Sequence, residues 1–229
     1  MPVLDYALLL VSGTDGVQAH TETLWKLLRR YHVPTLVFFN KMDLPGADKA
    51  RLLADARANL SELCAAPDDF EAIAMADEAA LEEYLATEAL SDKTMARLLR
   101  EERCFPCFFG AALQLGGVEA LLSALERYLE SKIYPPEFSA RVYKISRDPA
   151  GNRLTFLKVT GGILHVRDPL TYEAGDESLT EKATQLRLYS GAAFTFTGNI
   201  PTLPSFDCTS SLKRYEIKSC ITLSFFSFS

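Results

Sequence analysis

The chain has 229 residues, enough for one large domain or two small ones, and its 48% hydrophobic and 24% charged content is ordinary for a globular protein. Its net charge of -6 argues against a chain wrapped by nucleic acid, while leaving room for a local basic patch. No apolar run reaches the ~18 residues that span a bilayer. The start, MPVLDYALLLVSG, contains an acidic residue and no basic leader, so a cytoplasmic protein with no membrane partner is expected.

In chain order, DYALLLVSG is a short continuous apolar run closed by Gly13, which predicts a strand covered on both faces. From Gln18 to Tyr31, Leu24, Leu27, Leu28 and Tyr31 fall at i, i+3, i+4 and i+7, one helical stripe. Pro34 introduces a second buried strand, Thr35 to Asn40. Strand, helix and strand with short links form a βαβ unit with a right-handed crossover. Residues 47–102 read as helical and mostly amphipathic, with Ser91 as an N-cap and the charges as a solvated face. A third strand, Cys104 to Phe109, and a helix with Val118, Leu121, Leu122, Leu125 and Tyr128 on one face complete half of an α/β domain.

The five cysteines show no framework spacing, and only Cys104 and Cys107 form a C-x-x-C. Zinc would need two further ligands, which His20, His32 and His165 do not supply at a usable spacing. A thioredoxin-like pair is the alternative to the favoured reading, two buried strand cysteines.

The texture changes at IYPPEF, where Pro135-Pro136 cannot continue a helix and reads as a linker. Beyond it, polar and apolar residues alternate with frequent turn signals, notably Asp148 to Asn152 and Gly161-Gly162. This predicts a small antiparallel barrel or sandwich, with a boundary near residue 136.

The second buried strand ends in Asn40-Lys41-Met42-Asp43. A carboxylate at Asp43 can accept both donors on guanine's ring N–H and exocyclic amine edge, a bidentate bond that adenine cannot reproduce. Asn40 can bond the opposite edge and tie neighbouring loops, and the aliphatic stem of Lys41 can lie over the base. The crevice beyond a buried strand's carboxyl end is where a ligand is expected. The loop Gly110-Ala111-Ala112-Leu113 follows the next buried strand and offers a backbone N–H for guanine O6.

The pieces VLDYALLLVSGTDGVQAHTETLW, PTLVFFNKMDLPGAD, FFGAALQLGGVEALLSALERYL and ARVYKISRDPAGNRLTFLKVTGGILHVRD resemble consecutive parts of elongation factor G and its relatives. Within that family the chain is most similar to the ribosomal protection proteins of tetracycline resistance. The resemblance implies an α/β fold: a partial P-loop-GTPase-type parallel sheet with helices over 1–135, then a partial antiparallel β-barrel of the translation-factor domain II type over 136–200. It implies GTP or GDP as ligand, Mg2+ in the intact family, and the ribosome, through its RNA, as partner. By position, Asn40, Lys41 and Asp43 would hold guanine, with Ala111, Ala112 and Leu113 beside them. The family usually has Ser where Ala111 stands, so one bracing hydroxyl is missing.

No G-x-x-x-x-G-K-[ST] occurs, and with it the backbone cradle, lysine and magnesium-binding hydroxyl of a phosphate site are absent from this sequence. Asp43 to Gly46 overlaps the base-reading loop, and Asp148 to Gly151 is a hairpin tip, so neither serves as the D-x-x-G switch. In the resembled family the phosphate loop, both switches and the water-positioning histidine precede the strand at Asp5. The expectation is therefore a chain that starts after the catalytic half, with no catalytic residue and no metal ligand of its own.

Residues 201–229 carry seven serines from Ser205 onward and no match to the family strand. Out-of-frame translation is favoured there over a divergent terminal strand, leaving the barrel without closing strands and with an exposed edge. Alternatives to a guanine-binding translation-factor piece are a non-enzymatic module docking on a ribosome or partner, through Arg141, Lys144, Arg147, Arg153 and Lys158, or a non-functional gene remnant.

Overall fold

A computed structural model describes residues 4–130, 134–174, 177–190, 193–201 and 221–225. The chain divides into two compact units, Met1–Glu130 and Ser131–Ser229.

Unit 1 is a parallel sheet covered by helices. Its strands are β1 (Ala7–Ser12), β2 (Thr35–Asn40), β3 (Cys64–Ala65) and β4 (Phe105–Phe109), in the order β1-β2-β4-β3. Its helices are α1 (Ala19–Arg30), α2 (Lys49–Asn59), α3 (Phe70–Ala74), α4 (Glu78–Thr87), α5 (Asp92–Arg100) and α6 (Val118–Tyr128). The two-residue alternation of β2 sorts the core. Val37 and Phe39 pack with Trp25 of α1 and Leu52 and Ala56 of α2, while Leu36 and Phe38 pack in a second cluster with Met95, Leu98 and Leu121 from α5 and α6.

Three expectations change. β1 is an edge strand: Leu9 and Val11 are buried, but Leu8 and Leu10 are 40% and 61% exposed, so it is covered on one face only. In α1 the buried residues are Trp25 and Leu28, while Tyr31 is exposed; the large indole fills the space that a Leu stripe would leave. The stretch 47–102 is not wholly helical, because β3 pairs with β4 and makes a fourth parallel strand, too short to leave a periodic signal.

Helix starts follow local chemistry. The side chains of Asp48, Asp69, Asp77 and Ser91 accept from the backbone N–H groups of Arg51, Ala72, Ala80 and Thr94. Asp77 also accepts from Arg97 Nη2 at 2.6 Å and Arg103 Nη1 at 3.0 Å. The Arg97 bond, with the Ala80 amide behind it, holds the Asp77 carboxyl down at about 2.

Cys64, Cys104 and Cys107 are buried free thiols. Burial pushes Cys104 up to about 12, and the hydrogen bond with Cys64 together with burial raises Cys107 well above its ordinary value. Neither is the activated thiolate that a redox C-x-x-C needs.

Unit 2 is antiparallel. β5 (Ser139–Arg147) and β6 (Arg153–Gly161) form a hairpin closed at Asp148, whose carboxylate accepts from the Ala150 and Asn152 amides. β7 (Ile163–His165) pairs with β12 (Asn199–Pro201), and β8 (Pro169–Ala174) with β9 (Glu177–Lys182). β10 (Gln185–Ser190) pairs with β11 (Ala193–Thr197). Leu157, Val159, Leu164, Leu186 and Ile200 make the core of this unit.

Most of the sequence-level reading of 201–229 lies outside the described residues. Within it, β13 (Ile221–Phe225) is hydrogen-bonded between β10 and β6, a central position in a five-stranded sheet. Its apolar–polar alternation supplies the period-2 pattern such a position accepts. No described helix is long and apolar enough to cross a membrane.

Candidate functional site

β1, β2 and β4 run parallel, so their carboxyl ends emerge on the same edge of the sheet, where Gly13, Asn40 and Gly110 begin three loops. The Gly13 N–H donates to the Asn40 carbonyl at 2.7 Å. A Cβ at Gly13 would stand 2.8 Å from that oxygen and 2.9 Å from Met42 Sδ, so only glycine allows this approach. The Gly110 N–H donates to the Phe39 carbonyl at 2.9 Å, and the Met42 N–H to the Gly110 carbonyl at 3.0 Å.

Asn40 joins the two loops singled out in the sequence. Its Oδ1 accepts from the Lys41 N–H at 2.8 Å and, across 72 residues, from the Ala112 N–H at 2.9 Å. Lys41 adopts a left-handed backbone, φ 65°, which turns the chain sharply out of β2. That conformation is uncommon for a residue with a Cβ, and its presence here fits the tendency of strained backbone to collect at functional sites.

The second loop is held by a backbone pair rather than by a hydroxyl at position 111. The Ala111 N–H donates to the Gly116 carbonyl at 2.8 Å, and the Gly116 N–H returns a bond at 3.1 Å. Between them lies a 3₁₀ turn, Ala112–Gln114, followed by Leu115 at φ 60°. Ala111 is buried, whereas Leu113 is 96% exposed.

Asn40, Lys41 and Asp43 thus stand beside Ala111, Ala112 and Leu113. Asn40 is half-buried, and Lys41 and Asp43 are exposed. The Ala112 N–H, one of the backbone donors of this loop, is engaged by Asn40 here.

Two contributors had no signal in the sequence. Gln114 Nε2 donates to Asp43 Oδ2 at 3.0 Å. Arg51 Nη2 donates to the carbonyls of Gly13, Thr14 and Gly46 at 3.0–3.2 Å, cross-linking the β1 and β2 loops. An arginine in the first turn after the Asp48 cap reads on sequence alone as a solvated helix charge.

A family model described as the elongation factor Tu GTP binding domain matches residues 1–131, more than half of the chain. The chain belongs to this family of translational GTPases. Among curated proteins it is 27% identical over 223 residues to tetracycline resistance protein TetM of Staphylococcus aureus (strain Mu50), covering 83% of this chain and 35% of TetM. Tetracycline resistance protein TetW of Butyrivibrio fibrisolvens is 28% identical over 233 residues, covering 90% of this chain and 36% of TetW. The chain spans about a third of the length of the curated relatives it matches. A crystal structure of a Thermus thermophilus protein matches with a TM-score of 0.64 at 22% identity, covering all of this chain and 41% of that one, a likeness of fold.

Proposed function

We propose that the loops after β2 and β4 are the base-reading part of a guanine-nucleotide site in a cytoplasmic, translation-type GTPase. The observation that carries this reading is the Asn40 bridge, which sets the Asp43 loop against Ala111–Leu113 at the carboxyl edge of the parallel sheet. Membership of the elongation factor Tu GTP-binding family supports it.

In this reading Asp43 accepts from guanine's ring N–H and exocyclic amine. Asn40 turns its Nδ2 donors toward N7, and the Lys41 stem covers the ring. The loop Ala111–Leu113 lies on the O6 side, with its Ala111 and Ala112 amides already engaged by the Gly116 carbonyl and by Asn40. Because Asp43 is exposed, water competes for each bond, and base discrimination is smaller than a buried site would give.

Among the described residues no group of three or more His, Cys, Asp or Glu is placed to hold a metal. The sequence also has no G-x-x-x-x-G-K-[ST]. Without the backbone cradle, lysine and hydroxyl of that motif, no hydrolytic step is assigned to the residues present.

A titration of the 229-residue polypeptide followed by amide chemical shifts tests the reading. GDP is expected to perturb residues 40–43 and 110–114 with a Kd above about 100 μM, less than about 5.5 kcal/mol, and ADP to leave them unmoved. Equal shifts with both nucleotides, or none with GDP, would remove the proposal.

We also propose the ribosome as the partner of the translation-type protein, with unit 2 contributing basic side chains toward RNA phosphates. Arg141 and Lys158 are cross-strand neighbours on β5 and β6, two positive charges side by side. Cosedimentation with small ribosomal subunits at low salt, lost as salt rises, is the expected result. No cosedimentation at any salt concentration would count against it.

A further inference from the structure

Resting on the guanine-site reading, we infer that Gln114 is an internal stand-in for the base and sets how strongly the site prefers guanine over hypoxanthine. The carboxamide of Gln114 donates Nε2–H to Asp43 Oδ2 at 3.0 Å, although the two residues lie 71 positions apart. That N–H is the same kind of donor as the exocyclic amine of guanine, and it occupies one of the two oxygens that the base requires.

The contact is built by ordered backbone. Gln114 closes the 3₁₀ turn Ala112–Gln114, and its own N–H donates to the Ala111 carbonyl at 3.0 Å. The turn is clamped at its ends by the Ala111–Gly116 pair. It is set close to β4 by Gly117, φ 73°, where a Cβ would meet the Phe109 carbonyl at 2.3 Å. On the opposite side, the Asn40 bridge fixes the loop carrying Asp43. Donor and acceptor therefore meet without either loop having to rearrange.

Guanine presents two donors toward Asp43, so its amine must either displace the Gln114 amide from Oδ2 or share that oxygen with it, and both weaken the contact. Hypoxanthine presents only its ring N–H, which Oδ1 can accept while Gln114 stays in place. Gln114 thus competes with guanine and not with hypoxanthine, and in this chain it reduces the preference of the site for guanine.

The test compares GDP with IDP on the wild-type chain and on Gln114→Ala, by chemical-shift titration. Removing the competitor is expected to tighten GDP by about threefold and leave IDP unchanged, the lower end of what one hydrogen bond contributes net of water. Gln114→Met, which keeps the side-chain length without the donor, should give the same selective gain. Should Gln114 merely stiffen the loop, both variants would weaken GDP and IDP together, and the inference is overturned. An unchanged GDP:IDP ratio overturns it as well. These outcomes are separate from failure of the site itself, in which the wild-type chain would not distinguish GDP from ADP.

Discussion

Asp43→Asn is expected to exchange the base preference of the site from guanine to xanthine. A carboxylate offers two acceptors, matching the two donors of guanine. A carboxamide offers one acceptor and donors, matching the ring N–H and the adjacent carbonyl of xanthine. Guanine's amine would face an amide N–H, so one bond is lost and a donor–donor opposition replaces it. GDP affinity should fall by at least about tenfold, the loss of a charge-assisted bond without a substitute. XDP should appear as a ligand in the same weak range that GDP holds in the wild type. Titration of both nucleotides against both chains reads the exchange; a variant that still prefers GDP would show that Asp43 does not read the base.

Phe39→Ala carries the largest expected loss of stability. Phe39 is fully buried, stacks on Phe109 with ring centroids 5.1 Å apart, and shares a cluster with Trp25, Val37, Leu52 and Phe105. Truncating such a ring removes its transfer free energy and leaves a cavity, together about 3–5 kcal/mol. That is a large part of the about 5–15 kcal/mol available to a typical domain. Trp25 is the sole tryptophan and belongs to the same cluster, so its fluorescence in urea reports the change directly. The consequence reaches the site, because the Phe39 carbonyl accepts from the Gly110 N–H and the next residue is Asn40. A midpoint in urea unchanged from the wild type would mean that this cluster does not hold the unit together.

The two predictions concern a strand that the sequence announced clearly and the loop that follows it. Leu36–Phe39 is an unbroken apolar run between Thr35 and Asn40, and a strand buried on both faces needs nothing more to be recognised. Ser91 was legible for a similar reason: a cap is chosen by the backbone N–H groups within three residues of it. The Leu stripe on α1 was half right, with Leu28 buried and Leu24 packed against the core, because periodicity marks a face but not which side chain reaches deepest. Trp25 fills the core and Tyr31 stays exposed. β3 escaped because two residues carry no period, and β13 because its pairing partners lie in distant strands.

The sequence by itself determined the alternation of buried strands and helices in unit 1, the antiparallel texture of unit 2, and the residue types available to read a base. Those properties depend on neighbours within a few positions, where side-chain period and capping chemistry act. Only the tertiary structure decided that β1 is an edge with one bare face, that Ile221–Phe225 sits mid-sheet, and that Asn40 and Gln114 bridge loops more than 70 residues apart. Hydrogen bonds of that kind are set by which strand ends come to lie side by side, and no local stretch of chain encodes it.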